Sequence, residues 1–214
     1  MALAAGGLAS IAAAPVFAAD LPGPMAPGIP LRFDIVVLGV VIGEHRVEFA
    51  GAGDRFSATT TMNIDANLLG LPVVRYVQTT SETWGGGRLQ RFLTEGVQNG
   101  RSFRASGQAI DEGFELIGED GRSLAPRDTM LATCWSPLML ERQQVINPKR
   151  GKLKRQTVES SEHTTFVVGE APRSVTRYVV DSVIDGTIYY DDGQTWVAAS
   201  FDKRGARINY VLRA

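Results

Sequence analysis

The side chains able to do chemistry are few and far apart. Cys134 is the only cysteine of 214 residues, in the stretch TCWSPLML from Thr133 to Leu140. A thiol nucleophile needs a thiolate stabilised by an imidazole or a helix N-terminus. Cys134 precedes a predicted helix start, and the chain offers two histidines, His45 and His163. A lone cysteine cannot form an internal disulfide, and free cysteine is among the most buried residue types. A small packed residue is therefore the favoured reading of Cys134, with a ligand or redox contact and a cysteine-dependent enzyme as the alternatives. His45 shares its strand phase with Val47 and Phe49, which predicts an inward, neutral ring whose nitrogens are satisfied by backbone or a carboxylate. Glu162 and His163 stand together without a second donor pair, whereas zinc takes three or four ligands, so no metal site is expected. Hydrolase patterns such as G-x-S-x-G and H-E-x-x-H are missing from the sequence. Asp191 and Asp192 would point to opposite faces of a strand, which suits a turn with Gly193 better than paired acid catalysis.

Charge narrows the partners. Formal net charge is -1, with 21% charged and 44% hydrophobic residues, so no global field favours nucleic acid or an anionic membrane. One local cluster stands out, KRGKLKR, with Lys149, Arg150, Lys152, Lys154 and Arg155 as five basic residues in seven. It reads as a solvated face or as a contact for an anionic partner. No aromatic residue interleaves with it, which argues against single-stranded nucleic acid. Gly85 to Gly87 has no following Lys-Ser/Thr or predicted helix, and reads as a turn rather than a phosphate loop. No cofactor is implied.

These groups must be carried by strands. LRFDIVVL alternates Leu31, Phe33, Ile35 and Val37 on one face, and RFSATTTMNIDA does the same with Phe56, Ala58, Met62 and Ile64. Turn residues at Asn99-Gly100, Asp111 to Gly113, Glu119 to Gly121, Asp185-Gly186 and Lys203 to Gly205 separate further strands. Between Leu124 and Leu153 the alternation fails, and three prolines appear. A short helix is expected there over Pro137 to Gln143, capped by Ser136, with the whole segment a plug or flap. The pattern predicts an all-β protein: a single antiparallel meander of about a dozen strands curled into a barrel or half-barrel, since an open sheet of that size twists and exposes edges.

The N-terminal run MALAAGGLASIAAAPVFAAD is apolar and ends in small residues, with Val16 and Ala18 fitting a signal-peptidase site. Residues 1–19 are read as a signal peptide with an incomplete basic region, 20–30 as a Pro-rich spacer, and 31–214 as one domain with an insertion at 124–152. A periplasmic or secreted protein follows, with no stable transmembrane anchor.

The runs FDIVVLGVVIGEHRVEF, ETWGGGRL, NGRSFRASG, TCWSPLMLERQQVINPKRGKL and YYDDGQTWVAASFDKRGARINYVLR together resemble an exported proteobacterial family known as domain of unknown function 6134. The chain departs from that pattern after Asn147, where Pro148, Lys149, Arg150 and Gly151 replace an expected Gln-Thr-Gly. The resemblance implies no activity. A more distant similarity to LolA/LolB-like carriers implies a half-barrel around an acyl-binding cavity. Strands apolar on both faces, such as TWVAASF and TIYY, need cover on two sides. The resulting expectation is a hydrophobic small molecule or lipid held inside the sheet. Its lining would be Trp135, Leu138, Met139, Tyr190 and Trp196, with Cys134 behind them and His45 facing inward, gated by Leu131 to Ile146. The alternative is a structural or protein-interaction module without a ligand.

Overall fold

The computed structural model describes residues 29–68, 71–203 and 205–213; the expected signal peptide and most of the spacer lie outside the described residues. Alternating apolar and polar residues produce strands throughout. In chain order they are β1 (Leu31–Val37), β2 (Val40–Ala52), β3 (Arg55–Leu68), β4 (Leu71–Gly85), β5 (Arg88–Gln98), β6 (Arg101–Ile110), β7 (Gly113–Gly118) and β8 (Gly121–Ala125), then β9 (Gln144–Asn147), β10 (Lys152–Arg155), β11 (Thr157–Val168), β12 (Ala171–Asp181), β13 (Gly186–Asp191), β14 (Trp196–Lys203) and β15 (Ala206–Leu212).

Thirteen of these form one antiparallel sheet in the order β11-β12-β13-β14-β15-β1-β2-β3-β4-β5-β6-β7-β8. Neighbours in sequence are neighbours in space except where β15 returns to pair with β1, and β8 and β11 end the sheet as unpaired edges. The sheet curls without closing. Its curvature can be read from the rings: His45 on β2 and Trp196 on β14 are three inter-strand steps apart, about 14 Å in a flat sheet. Their ring centroids lie 5.1 Å apart.

Directly paired residues share a face, so the register stacks the inner side in rows. One row runs Phe33, His45, Met62, Gln78; the next Leu31, Val47, Thr60, Thr80, Thr94; the next Phe49, Ala58, Glu82, Phe92. The hairpin turns alternate between two ends. The Leu38-Gly39, Asn99-Gly100 and Glu119-Asp120 turns mark one, hereafter the Leu38 end, and Gly86-Gly87 with Asp111-Glu112 mark the other, the Trp84 end.

Residues 126–156 form a strap over this inner face. The helix expected at Pro137 to Gln143 is a five-residue 3-10 turn over Pro137–Glu141, and Ser136 sits before it with extended backbone and no side-chain cap. A helix that short gains too few backbone bonds to extend, and its position is set by packing, with Met139 buried. The segment LKRQTVES divides at Gln156: Lys152–Arg155 pairs with Gln144–Asn147 in a separate two-stranded ladder, and β11 begins at Thr157.

Candidate functional site: the inner face and its strap

The strap is pinned from both halves of the curl. On one side Glu82, which is 1% exposed, accepts hydrogen bonds from Trp84 Nε1 at 3.1 Å and from Trp135 Nε1 at 2.9 Å. Trp135 meets Phe49, Phe56 and Trp84 edge-on, at centroid distances of 5.5, 5.9 and 5.4 Å. Burial raises the Glu82 carboxyl to about 7, opposed by the donors Trp135, Thr133 and Trp84. On the other side the Tyr190 hydroxyl donates to the Cys134 carbonyl at 2.8 Å, and within the strap Gln156 Nε2 donates to the Met139 carbonyl at 2.6 Å. At the Leu38 end Lys149 bonds Gln98 Oε1 and lies over the rings of Tyr76 and Phe103, at 5.5 and 5.0 Å. The turn at Asn147 to Gly151 then crosses β7 so closely that a Cβ on Gly118 would stand 2.1 Å from the Arg150 carbonyl oxygen.

These contacts redistribute the residues expected from sequence. Cys134, Trp135, Met139, Tyr190 and Trp196 are all buried, and they pack as a closed core rather than as the wall of an open one. Leu138 is half-buried at its margin. Cys134 has φ 61, a conformation that costs a non-glycine residue about 1–3 kcal/mol and is held by the Tyr190 bond to its carbonyl. Burial pushes its thiol up, so the sulfur stays protonated. Trp196 does not share a face with Ala198 as strict alternation predicts. A bulge between Tyr189 and Tyr190 pairs Tyr190 with Trp196 and Ile188 with Ala199, which turns Trp196 inward onto Phe33 at 3.9 Å.

His45 faces inward as expected, beside Phe33, Trp196 and Tyr210. Its ring nitrogens are not satisfied: neither Nδ1 nor Nε2 has a hydrogen-bond partner among the described residues. Burial holds the imidazole neutral, down to about 3. His163 is exposed and bonds Ser174 at 2.8 Å. No cluster of three metal-ligating side chains occurs among the described residues.

The basic cluster is largely engaged within the chain. Arg150 pairs with Glu119 at 3.4 Å, and Lys152 pairs with Glu119 at 2.7 Å and with Asp120. With Lys149 over its two rings, that leaves Lys154 and Arg155, exposed on β10, as the members of the cluster without an ion pair among the described residues.

Two features escaped the sequence reading. Glu82 was legible in part, because TTSETW places Thr80, Glu82 and Trp84 on one face of a strand. The second is the group around Met62, described below. The inner face is also unevenly sealed. At the Trp84 end Phe56, Trp84, Leu89 and Phe92 are buried. At the Leu38 end Met62, Ile64, Tyr76, Phe201 and Ile208 are only half-buried.

The family model described as "Domain of unknown function (DUF6134)" matches residues 33–213. The chain belongs to the DUF6134 family. No curated protein matches it. Among solved structures, the crystal structure of a beta-barrel-like protein of domain of unknown function DUF1849 from Brucella abortus is similar, with a TM-score of 0.55 and 9% identity over 86% of this chain and 94% of that one. At that identity the likeness concerns the fold alone, and it agrees with a DUF6134 sheet that curls as a barrel does while leaving two edges apart. No helix among the described residues is long and apolar enough to cross a membrane.

Proposed function

We propose that this DUF6134 protein binds an apolar small molecule or lipid chain on the inner face of its sheet, at the Leu38 end. The observation that carries this reading is the uneven sealing of that face: the strap and the aromatic core close one end, whereas Met62, Ile64, Phe201 and Ile208 stay half-open at the other. Apolar surface left partly wet on a concave face is where a ligand gains most by displacing water. Met62 adds an adaptable side chain of the kind that accommodates variable shapes. The neighbouring β1–β2 tip is aliphatic and exposed, with Leu38 at 92%, Val40 at 62% and Val41 at 55%, so an apolar guest would meet apolar surface on approach.

The strap then acts as a fixed wall. Its anchors at Glu82, Tyr190 and Gln98 lie on different strands, and lifting it would expose the indole of Trp135 together with Met139. The buried, protonated Cys134 gives no support to thiol chemistry. The anionic-partner reading now depends on Lys154 and Arg155, and we do not favour it. Export to the periplasm, the expectation raised by the N-terminal sequence, would suit a carrier of this kind.

The test is to extract the purified protein with organic solvent and analyse the extract by mass spectrometry, beside displacement of Nile red from the protein by 1-dodecanol and dodecane. A copurifying or displaceable apolar molecule is the expected result. A protein that binds neither probe and carries nothing would reject the reading.

A further inference from the structure

The most unusual chemistry of the inner face surrounds one thioether. Met62 is paired in register with His45 on β2 and with Gln78 on β4, and Thr60 lies two residues away on the same face. The Tyr210 hydroxyl donates to Met62 Sδ at 3.7 Å, a poor acceptor for a phenol. His45 is 5% exposed and Thr60 is 2% exposed, and three of their polar atoms, Nδ1, Nε2 and Oγ1, have no partner among the described residues. Gln78, in contrast, is held in a chain from Tyr76 through Thr80 to Thr94.

Leaving buried polar groups unpaired is costly, and native structures do so rarely. Here the unpaired groups converge on a flexible, half-buried side chain at the open end. We infer that Met62 is a displaceable plug over a polar recognition point, and that the molecule bound at the Leu38 end is amphipathic, with an uncharged hydrogen-bonding head reaching His45, Thr60 and Tyr210. The inference rests on the ligand-binding reading above and specifies its chemistry. An imidazole kept neutral can donate through one nitrogen and accept through the other, and Thr60 can do both. A hydroxyl or carbonyl head satisfies such a set. A carboxylate would be buried without a cation beside it, which is unfavourable.

The experiment compares 1-dodecanol, dodecane and dodecanoate for displacement of Nile red from wild type, from His45→Phe with Thr60→Val, and from Met62→Ala. In wild type the alcohol binds about tenfold more tightly than the alkane, the worth of one net hydrogen bond in a dry site, and dodecanoate more weakly than the alcohol. The double variant brings the alcohol down to the alkane's affinity and leaves the alkane unchanged, and Met62→Ala tightens the alcohol. A second readout needs no ligand: His45→Phe removes an unpaired imidazole, so its apo melting temperature rises. Equal binding of alcohol and alkane in wild type, or a double variant that still prefers the alcohol, overturns the inference while leaving the apolar site standing. A fall in the melting temperature of His45→Phe also overturns it, because it would reveal a satisfied imidazole. Failure of all three probes to bind would remove the underlying reading as well.

Discussion

Substituting Glu82 with glutamine tests how the strap is held. In the folded protein burial raises this carboxyl from the 4.5 of an ordinary glutamate to about 7. Because the folded value is the higher one, the folded state holds its proton longer than the unfolded chain does. Stability is therefore full below pH 4.5 and declines as pH rises through 7. At about 1.4 kcal/mol for each pH unit separating the two values, the loss approaches about 3 kcal/mol on the alkaline side. Glutamine removes the titration but keeps only one acceptor oxygen, so its amide nitrogen faces the other of the two Trp Nε1 donors and the variant starts less stable than the wild type near pH 4.5. Only the wild type then loses stability as pH rises, so by pH 8 the difference should have moved by about 3 kcal/mol in favour of Glu82→Gln. Urea unfolding at a series of pH values reports this directly, followed by the fluorescence of Trp84 and Trp135, which flank the carboxyl. A difference that does not change with pH, or one that moves against the variant as pH rises, would show that the three donors outweigh desolvation and that the reasoning is wrong.

Three further outcomes follow. Gly118→Ala forces a Cβ to within 2.1 Å of the Arg150 carbonyl oxygen and should lower stability by about 1–3 kcal/mol in thermal melts, whereas Gly85→Ala, which meets only the Gln90 side chain at 3.4 Å, should cost less than 1. Tyr190→Phe strips the buried Cys134 carbonyl of its donor and should destabilise by about 1–3 kcal/mol, measured by denaturant unfolding. The Cys134 thiol should resist a small alkylating reagent at pH 8 and react fully in denaturant, counted by mass spectrometry of the intact protein.

The sheet was legible because its information is local. Period-two alternation with glycine and asparagine turns placed the hairpins from β4 to β8 and led to a curled sheet, since edges on so long a meander must be brought near each other or covered. Local reasoning failed where one residue shifts the phase. The bulge near Tyr190 moved Trp196 to the other face from Ala198, and nothing in TWVAASF announces it. It failed again where partners are set by the path of the strap. Trp135 meets Glu82 across 53 residues, and the identity of that partner is a tertiary fact. The basic cluster shows the same limit. Lys149 was read as surface charge free of aromatic company, and the fold lays it over Tyr76 and Phe103. His45 was placed on the correct face by alternation, but the state of its nitrogens depends on β15 and β14, more than 150 residues away in sequence.

The central claim is that an apolar guest occupies the half-open Leu38 end of the inner face, and the most direct measurement is a Nile red titration of Ile64→Asp beside Val77→Asp. Ile64 is half-buried on the inner face, and Val77, 48% exposed, lies on the outer face of β4. Both substitutions add the same charge to neighbouring strands. Loss of dye binding in Ile64→Asp, with binding retained in Val77→Asp and both variants folded, is the result this account predicts; equal binding by the two would contradict it.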